Sequence, residues 1–527
     1  MGQAELLIAG LLVAVAGFSA VARALSIPYP IVLVIGGALF GFVPGMPEVK
    51  LNPDVVLVVF LPPLLYSAAF FANLGDIRRM TRAVVLSSVL LVLVTMCAVA
   101  VAVHGLVDGI SWAAAFTLGA IVSPTDPLAA AAIMRRVGVP RRLVSLVEGE
   151  GLFNDATALV AYRVAVAVAV GGSFSLADAS LKFVLGAAGG IAIGLVTGWV
   201  IAQIRERVQD TQTSVTISLL SGYAAFIPAD LAGVSGVLAA VTTGIYMGIR
   251  GPSIISPRTR LQGFFVWDLL DFIINAALFV LIGLQLRTIV DGLSGHSVGS
   301  LAGYALAVSV VVIAVRLAWS LGVAYILRAI DHRPSQRARR ASWQTRLVIG
   351  WSGMRGAVSL AAALAIPLTT DAGGPFPDRD LILFLTFAVI FATLVLQGLT
   401  LPWVIRKLGI TDDGDGESEE LKARLYATRA ALDRLDQLAE EDWTRDDTIE
   451  RMRAFYDYRQ RRFRARAGKI EDDGYEDRSL VYQQMVVSVL AAEREALVQL
   501  RNDGRISNEV MNRLLYDFDL EEERLEI

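Results

Sequence analysis

A chain of 527 residues that is 55% hydrophobic and 18% charged, with a mean hydropathy of +0.58, is too apolar for an ordinary soluble protein and predicts an all-α polytopic membrane protein. Its formal charge of −3 hides a division, because residues 411–527 hold 30 acidic and 19 basic residues while 1–410 hold 20 acidic and 28 basic. That separates a membrane domain, 1–410, from an acidic, mostly helical tail, 411–527; the lone Cys97, in an apolar run, excludes disulfide frameworks and cysteine metal clusters and is expected in a core.

At the N-terminus, Glu5 is the only charge before Arg23. Secretory signals start with positive charge, so the first apolar run is read as an uncleaved helix. Leu6 stands where a myristoylation signal has Ser or Thr, so no lipid anchor is expected. Thirteen runs are long enough to cross about 30 Å of hydrocarbon. They are 5–22, 29–45, 53–72, 83–104, 112–132, 144–171, 178–204, 212–228, 230–249, 264–286, 300–328, 346–368 and 381–405. Only Pro228-Ala229-Asp230 divides the eighth from the ninth.

Basic residues alternate between loops. One set carries Arg23; Arg78, Arg79 and Arg82; Arg135, Arg136, Arg141 and Arg142; Arg205 and Arg207; Arg250, Arg258 and Arg260; and Arg333, Arg337, Arg339 and Arg340. The other holds little beyond Lys50, Lys182, Arg287 and Arg379. Lys and Arg gather in short cytoplasmic loops. The N-terminus is therefore predicted outside and the tail in the cytoplasm, with the spans in the cell (inner) membrane.

Two spans read as broken. In the fifth, Ser123-Pro124-Thr125-Asp126-Pro127 removes backbone donors and pushes the residues before each proline out of helical geometry. In the twelfth, Gly353 and Gly356 flank Arg355 at mid-span. Paired interruptions point to an inverted-repeat transporter with a midplane site. Runs one to six and eight to thirteen then form the repeats.

The sixth run places Glu148, Glu150 and Asp155 inside a membrane helix. Buried charge costs on the order of 3 kcal/mol at the bilayer centre, so such residues face a partner or a cavity. Glu148 and Asp155 share one helical face, Glu150 and Asn154 another. Arg355 also needs a partner, and Glu150 is paired with it as a structural brace that Asn154 supports. Asp155 is left to exchange ions. Beside the unwound fifth run, Thr125 and Asp126 offer hard oxygen ligands for a monovalent cation. Partial desolvation lets a proton and a cation compete for one carboxyl.

Arg163 is expected to pair with Asp126 or Glu148 or to snorkel outward. Asp268 and Asp271 are read as a cation-attracting entrance or a helix cap, Glu148 as an entrance residue, and His104 as interfacial. In the tail, 418–467 is expected as exposed helix and 479–501 as a helix with an apolar face for a partner. The arginines from Arg459 to Arg466 are read as a solvated face, with no nucleic acid implied.

Four motifs carry a resemblance. They are Leu61-Pro62-Pro63-Leu64-Leu65, Ser123-Pro124-Thr125-Asp126-Pro127, Glu150-Gly151-Leu152-Phe153-Asn154-Asp155 and Gly353-Met354-Arg355-Gly356-Ala357-Val358-Ser359. They resemble the third, fifth, sixth and twelfth helices of bacterial sodium/proton exchangers of the monovalent cation:proton antiporter-1 family, which includes the NhaP-like proteins. The closing stretch, Gly504 to Leu525, resembles the cytoplasmic ends of such exchangers.

The resemblance implies an NhaA/NhaP-like antiporter fold with two interrupted crossing helices. Asp155 would carry proton and cation, Asn154 would mark electroneutral exchange, Glu150 would bridge Arg355, and Thr125 and Asp126 would line the site. It also implies a homodimer in the bilayer, elevator-like movement, Na+ (or K+ or Li+) and H+ as substrates, and no cofactor. Ser67 is counted at the ion site, although many members carry an acid there. Gly151 stands where many have serine.

Sodium/proton antiport is the first expectation, potassium/proton antiport the second. A channel would need repeated polar rings, and three histidines with one cysteine are poor material for an enzyme. A transport-dead scaffold or sensor acting through the tail is the remaining alternative.

Overall fold

Apolar runs interrupted by proline and glycine give a chain that is helical almost throughout. The computed structural model describes residues 3–25, 28–43, 53–73, 75, 84–171, 176–293, 297–330, 342–412, 414–471 and 474–525. The basic positions Arg78, Arg79, Arg82, Arg333, Arg337, Arg339 and Arg340, with Lys50, lie outside the described residues. The chain divides into two compact units, Met1–Asp412 and Asp413–Ile527.

The first unit begins with α1 (Gln3–Leu25), α2 (Tyr29–Gly41), α3 (Pro53–Phe70) and α4 (Leu86–Leu106). The fifth expected span is two helices, α5 (Trp112–Val122) and α6 (Pro127–Val137). Then follow α7 (Arg141–Val170), α8 (Leu176–Arg207), α9 (Thr211–Leu231), α10 (Gly236–Ile254), α11 (Pro257–Gly292) and α12 (Val298–Ile330). The twelfth span is also split, into α13 (Trp343–Trp351) and α14 (Ala357–Leu364), before α15 (Arg379–Lys407). Among the described residues, eight helices are long and apolar enough to cross a membrane.

The boundary expected at Pro228-Ala229-Asp230 lies later. Helix α9 runs through Pro228 to Leu231, and Ser235 caps α10 by accepting from the N–H of Leu238 at 3.2 Å. Proline costs a helix the hydrogen bond to the carbonyl four residues earlier, here that of Ala224, and some local bending, and α9 ends within one turn of it. At the other end of α9, Asp210 accepts from the N–H of Thr213 at 2.7 Å. This loop carboxyl is held below its ordinary range by the Thr213 side chain and backbone.

The helices pack as two bundles that meet at the interruptions. Helices α1, α2, α3, α8, α9, α10 and α11 form one; α4, α5, α6, α7, α12, α13, α14 and α15 form the other. Helix α14 packs on both α3 and α11, and so brings the second break against the first bundle. Cys97 is exposed on α4 rather than in a core. Lipid tails accept an apolar side chain as readily as a protein interior does, so an apolar run does not distinguish the two.

The second unit holds α16 (Asp415–Leu438), α17 (Asp446–Arg466), α18 (Tyr475–Asn502) and α19 (Asn508–Glu523). The stretch expected as one exposed helix is thus two, broken between 439 and 445. Arg459 lies over the rings of Phe455, Tyr456 and Phe463. Arg494 on α18 is tied to Asp519 at 2.7 Å and to Glu522 on α19.

Candidate functional site

The site grows from two pieces of backbone that cannot be helical. Pro124 and Pro127 open the chain between α5 and α6, and Gly353 and Gly356 open it between α13 and α14. The freed groups satisfy one another. The N–H of Asp126 donates to the carbonyl of Met354 at 2.8 Å, and Arg355 Nε donates to the carbonyl of Val122 at 3.0 Å. The N–H of Arg355 donates to Thr393 Oγ1 at 3.1 Å.

Asp126 then caps two helices at once. Its carboxylate accepts from Leu128 N–H at 2.8 Å and from Ala129 N–H at the start of α6, and from Ala357 N–H at the start of α14. Both N-termini present partial positive charge to this one group. Gly356 makes the approach feasible, since a Cβ there would overlap the Asp126 carboxylate.

Helix α7 crosses beside this junction. A Cβ on Gly151 would run into the Pro127 ring. The lack of a side chain at Gly151 is thus what lets α7 reach the crossing. Thr125 and Asn154 are buried, and Asn154 Nδ2 donates to Thr125 Oγ1 at 2.8 Å. Asn154 Oδ1 is buried without a partner. Asn154 therefore ties α7 to the unwound segment rather than supporting the Glu150 brace.

Asp155 and Asp126 are electrostatic neighbours, and both keep accessible surface. Asp155 has no hydrogen bond or ion pair among the described residues.

The expected Glu150–Arg355 bridge is corrected. Glu150, 3% exposed, makes its ion pair with Arg316 of α12, and Arg316 also lies beside Arg355. Arg355 feels the charge of Glu150 but spends its donors on the carbonyls of Val122 and Gly353. Those carbonyls were released by the two breaks, so the guanidinium closes the crossing and leaves the carboxylate to the neighbouring arginine. Arg316 was not singled out in the sequence. The signal was an arginine at the middle of run 300–328, the same argument that flagged Asp155.

Two π-helical turns also belong to the site, and periodicity does not reveal them. Ser88, in the turn Leu86–Leu90, donates to the carbonyl of Glu150 at 3.0 Å. Thr393, in the turn Thr393–Gln397, receives the N–H of Arg355. Such turns frequently occur at functional sites.

The remaining expected residues lie around this centre. Ser67 on α3 donates to Asp271 of α11 at 2.8 Å. Tyr29, which the sequence reading missed, lies in electrostatic reach of both Asp126 and Asp271. Asp268 is exposed. Both aspartates lie well inside α11, whose cap is Ser256, so the helix-cap reading is corrected. Glu148 pairs with Arg135 of α6. Arg163 pairs with Asp230 at 2.7 Å, not with Asp126 or Glu148. His104 Nδ1 donates to the carbonyl of Ile110 at 2.9 Å, beside Trp112.

The family model described as "Sodium/hydrogen exchanger, transmembrane" matches residues 10–407. An uncharacterised Na+/H+ exchanger of Mycobacterium bovis is 36% identical over 500 residues, covering 94% of this chain and 91% of the relative. The Na+/H+ antiporter ApNhaP of Aphanothece halophytica is 33% identical over 411 residues, covering 78% of this chain and 74% of the relative. A sodium, potassium, lithium and rubidium/H+ antiporter of Bacillus pumilus is 32% identical over 428 residues, covering 79% of this chain and 63% of that antiporter. The solved sodium/proton antiporter MjNhaP1 of Methanocaldococcus jannaschii shares the fold, with a TM-score of 0.59 and 20% identity over 77% of this chain and 99% of that one. A matching model over most of the membrane unit and relatives aligned along nearly the whole chain make it a multi-pass transporter rather than an enzyme: the chain belongs to the Na+/H+ exchanger family, in its NhaP-like branch.

Proposed function

We propose that the protein exchanges one monovalent cation, Na+ first, for one proton, with Asp155 binding each in turn. The observation that carries this reading is the charge balance around the crossing. Three carboxylates, Glu150, Asp126 and Asp155, stand with two guanidiniums, Arg316 and Arg355. Glu150 is taken up by Arg316, and Asp126 by two helix N-termini. Asp155 is the carboxylate left over, and one proton or one monovalent cation neutralises it.

The oxygens around it favour a hard ion. Thr125 Oγ1 and the unpartnered Asn154 Oδ1 add neutral acceptors without another charge. K+ for H+ is the second reading, supported by the Bacillus pumilus relative named for sodium, potassium, lithium and rubidium. By the family resemblance, the protein works as a homodimer in the cell membrane and moves one bundle against the other. Thirteen spans in inverted repeats, with N-terminus outside and tail in the cytoplasm, complete the reading. Asp271 with Ser67, and Glu148 with Arg135, line the approach from the cytoplasm.

Proteoliposomes provide the test. Na+, K+ or Li+ added to vesicles with an imposed pH gradient should release protons without a current that scales with transport. Asp155→Asn should reduce exchange more than 100-fold while leaving the protein folded. Because a bound cation requires the deprotonated carboxyl, lowering pH should raise the apparent cation KM and leave Vmax in place. Undiminished exchange by Asp155→Asn, or a transport current, contradicts the mechanism.

A further inference from the structure

Away from the crossing, where α3, α8, α9 and α11 pack together, a buried cation stands without a counter-ion among the described residues. Arg205, in the last turn of α8, is 4% exposed. Its Nε donates to Ser214 Oγ at 3.2 Å, and its Nη1 has no acceptor. Its electrostatic neighbour is the phenol of Tyr66, and no carboxylate among the described residues approaches it.

The groups around Arg205 are donors too. Tyr66 is fully buried, with its ring centroid 5.5 Å from Trp267. Its hydroxyl sits beside Ser218 and Ser221 without a well-formed hydrogen bond. Trp267 Nε1 donates to Ser218 Oγ at 3.1 Å. Ser214 and Ser218 therefore accept a bond each; the Ser218 hydroxyl faces Tyr66, and the Ser214 hydroxyl proton has no acceptor among the described residues. Ser214, Ser218 and Ser221 recur on one face of α9. Guanidinium, phenol and the Ser214 hydroxyl thus lie together where no carboxylate among the described residues supplies negative charge.

A water there would take up two of these protons and leave the guanidinium charge buried, which is costly. The C-terminal dipole of α8 compensates roughly half a unit charge. A tetrahedral oxyanion would answer both the charge and the surplus donors. The surroundings suit a lipid source, because Ile204 on α8 and Phe264, Phe265 and Leu269 on α11 are exposed apolar residues near the same helix ends.

We propose that Arg205, Tyr66 and Ser214 form a binding site for a phosphate group, carried by an anionic phospholipid headgroup or present as free inorganic phosphate. The site is independent of ion exchange. It recognises charge and tetrahedral oxygen geometry, with the Trp267 indole holding the serine face in place.

The full-length exchanger, purified in neutral detergent and stripped of lipid, is the material for the test. Its thermal unfolding is followed while inorganic phosphate or short-chain phosphatidylglycerol is added, with sodium chloride at equal ionic strength as control. Wild type should gain several degrees with saturation, and Arg205→Gln should lose that response. Asp155→Asn should respond like wild type, so loss of transport and loss of this site are separate results. A response to the lipid alone assigns a headgroup, to phosphate alone a free anion, and to both a site open to either. Should Arg205→Gln fail to fold, Tyr66→Phe combined with Ser214→Ala keeps the cation and should weaken binding about tenfold. No response in wild type beyond that to chloride, or an undiminished response in whichever of these variants folds, overturns the proposal.

Discussion

Arg316 and Arg355, each 1% exposed, both lie within electrostatic reach of Glu150, which forms its ion pair with Arg316. Glu150→Gln leaves two adjacent guanidiniums to repel each other in a buried setting. Removing one partner of a buried pair costs about 3–5 kcal/mol, because the remaining charge is uncompensated. Unfolding of Glu150→Gln in detergent should therefore occur at a clearly lower temperature than wild type. The double variant Glu150→Gln with Arg316→Gln should lose less than the sum of the two single losses, since the pair acts as a unit. Additive losses would show that Glu150 and Arg316 act separately. Asp155 belongs to the same cluster but differs in kind, because its substitution removes a group with no partner to abandon. Asp155→Asn should thus abolish exchange and leave the unfolding temperature unchanged or higher, a contrast that thermal denaturation and vesicle assays read together.

At the scale of elements, the crossing is maintained by close approach as much as by charge. Gly151 lies against Pro127, so Gly151→Ser adds an oxygen where the ring already stands. This variant should push α7 away from the start of α6 and lower the exchange rate by tenfold or more, rather than improve cation affinity. A lower cation KM at an unchanged rate would show that the serine acts as a ligand after all. Gly356→Ala meets a stricter limit, because its Cβ would displace the Asp126 carboxylate that caps α6 and α14. Loss of folded protein, followed by size-exclusion chromatography, is the expected outcome; a monodisperse, active Gly356→Ala protein would mean the junction adjusts. The positions of both breaks were legible in the sequence, since proline and glycine act locally on the backbone. The π turns at Ser88 and Thr393 were not, because one extra residue per turn leaves the apolar pattern of a membrane helix unchanged.

For the whole molecule, the two compact units Met1–Asp412 and Asp413–Ile527 predict that the membrane unit folds without the tail. A chain ending at Asp412 should insert, purify as a monodisperse protein and exchange cations for protons, because residues 10–407 match the family model. An aggregated or inactive truncation would instead make the tail part of the folded transporter.

The sequence by itself determined the membrane class and the two interrupted spans, because hydropathy, proline and glycine speak locally, and it marked Asp155 as a carboxylate inside a membrane helix. It also marked Arg355 and Glu150 as residues that need partners. Which partner each takes was decided only by the tertiary structure. Arg316 reaches Glu150 from a helix more than 160 residues away, while Arg355 turns to carbonyls that became free only when two broken helices crossed. Spacing along one helix reports which residues share a face. It cannot report which distant helix that face meets, and in a low-dielectric interior that meeting decides whether a charge is neutralised or left to bind an ion.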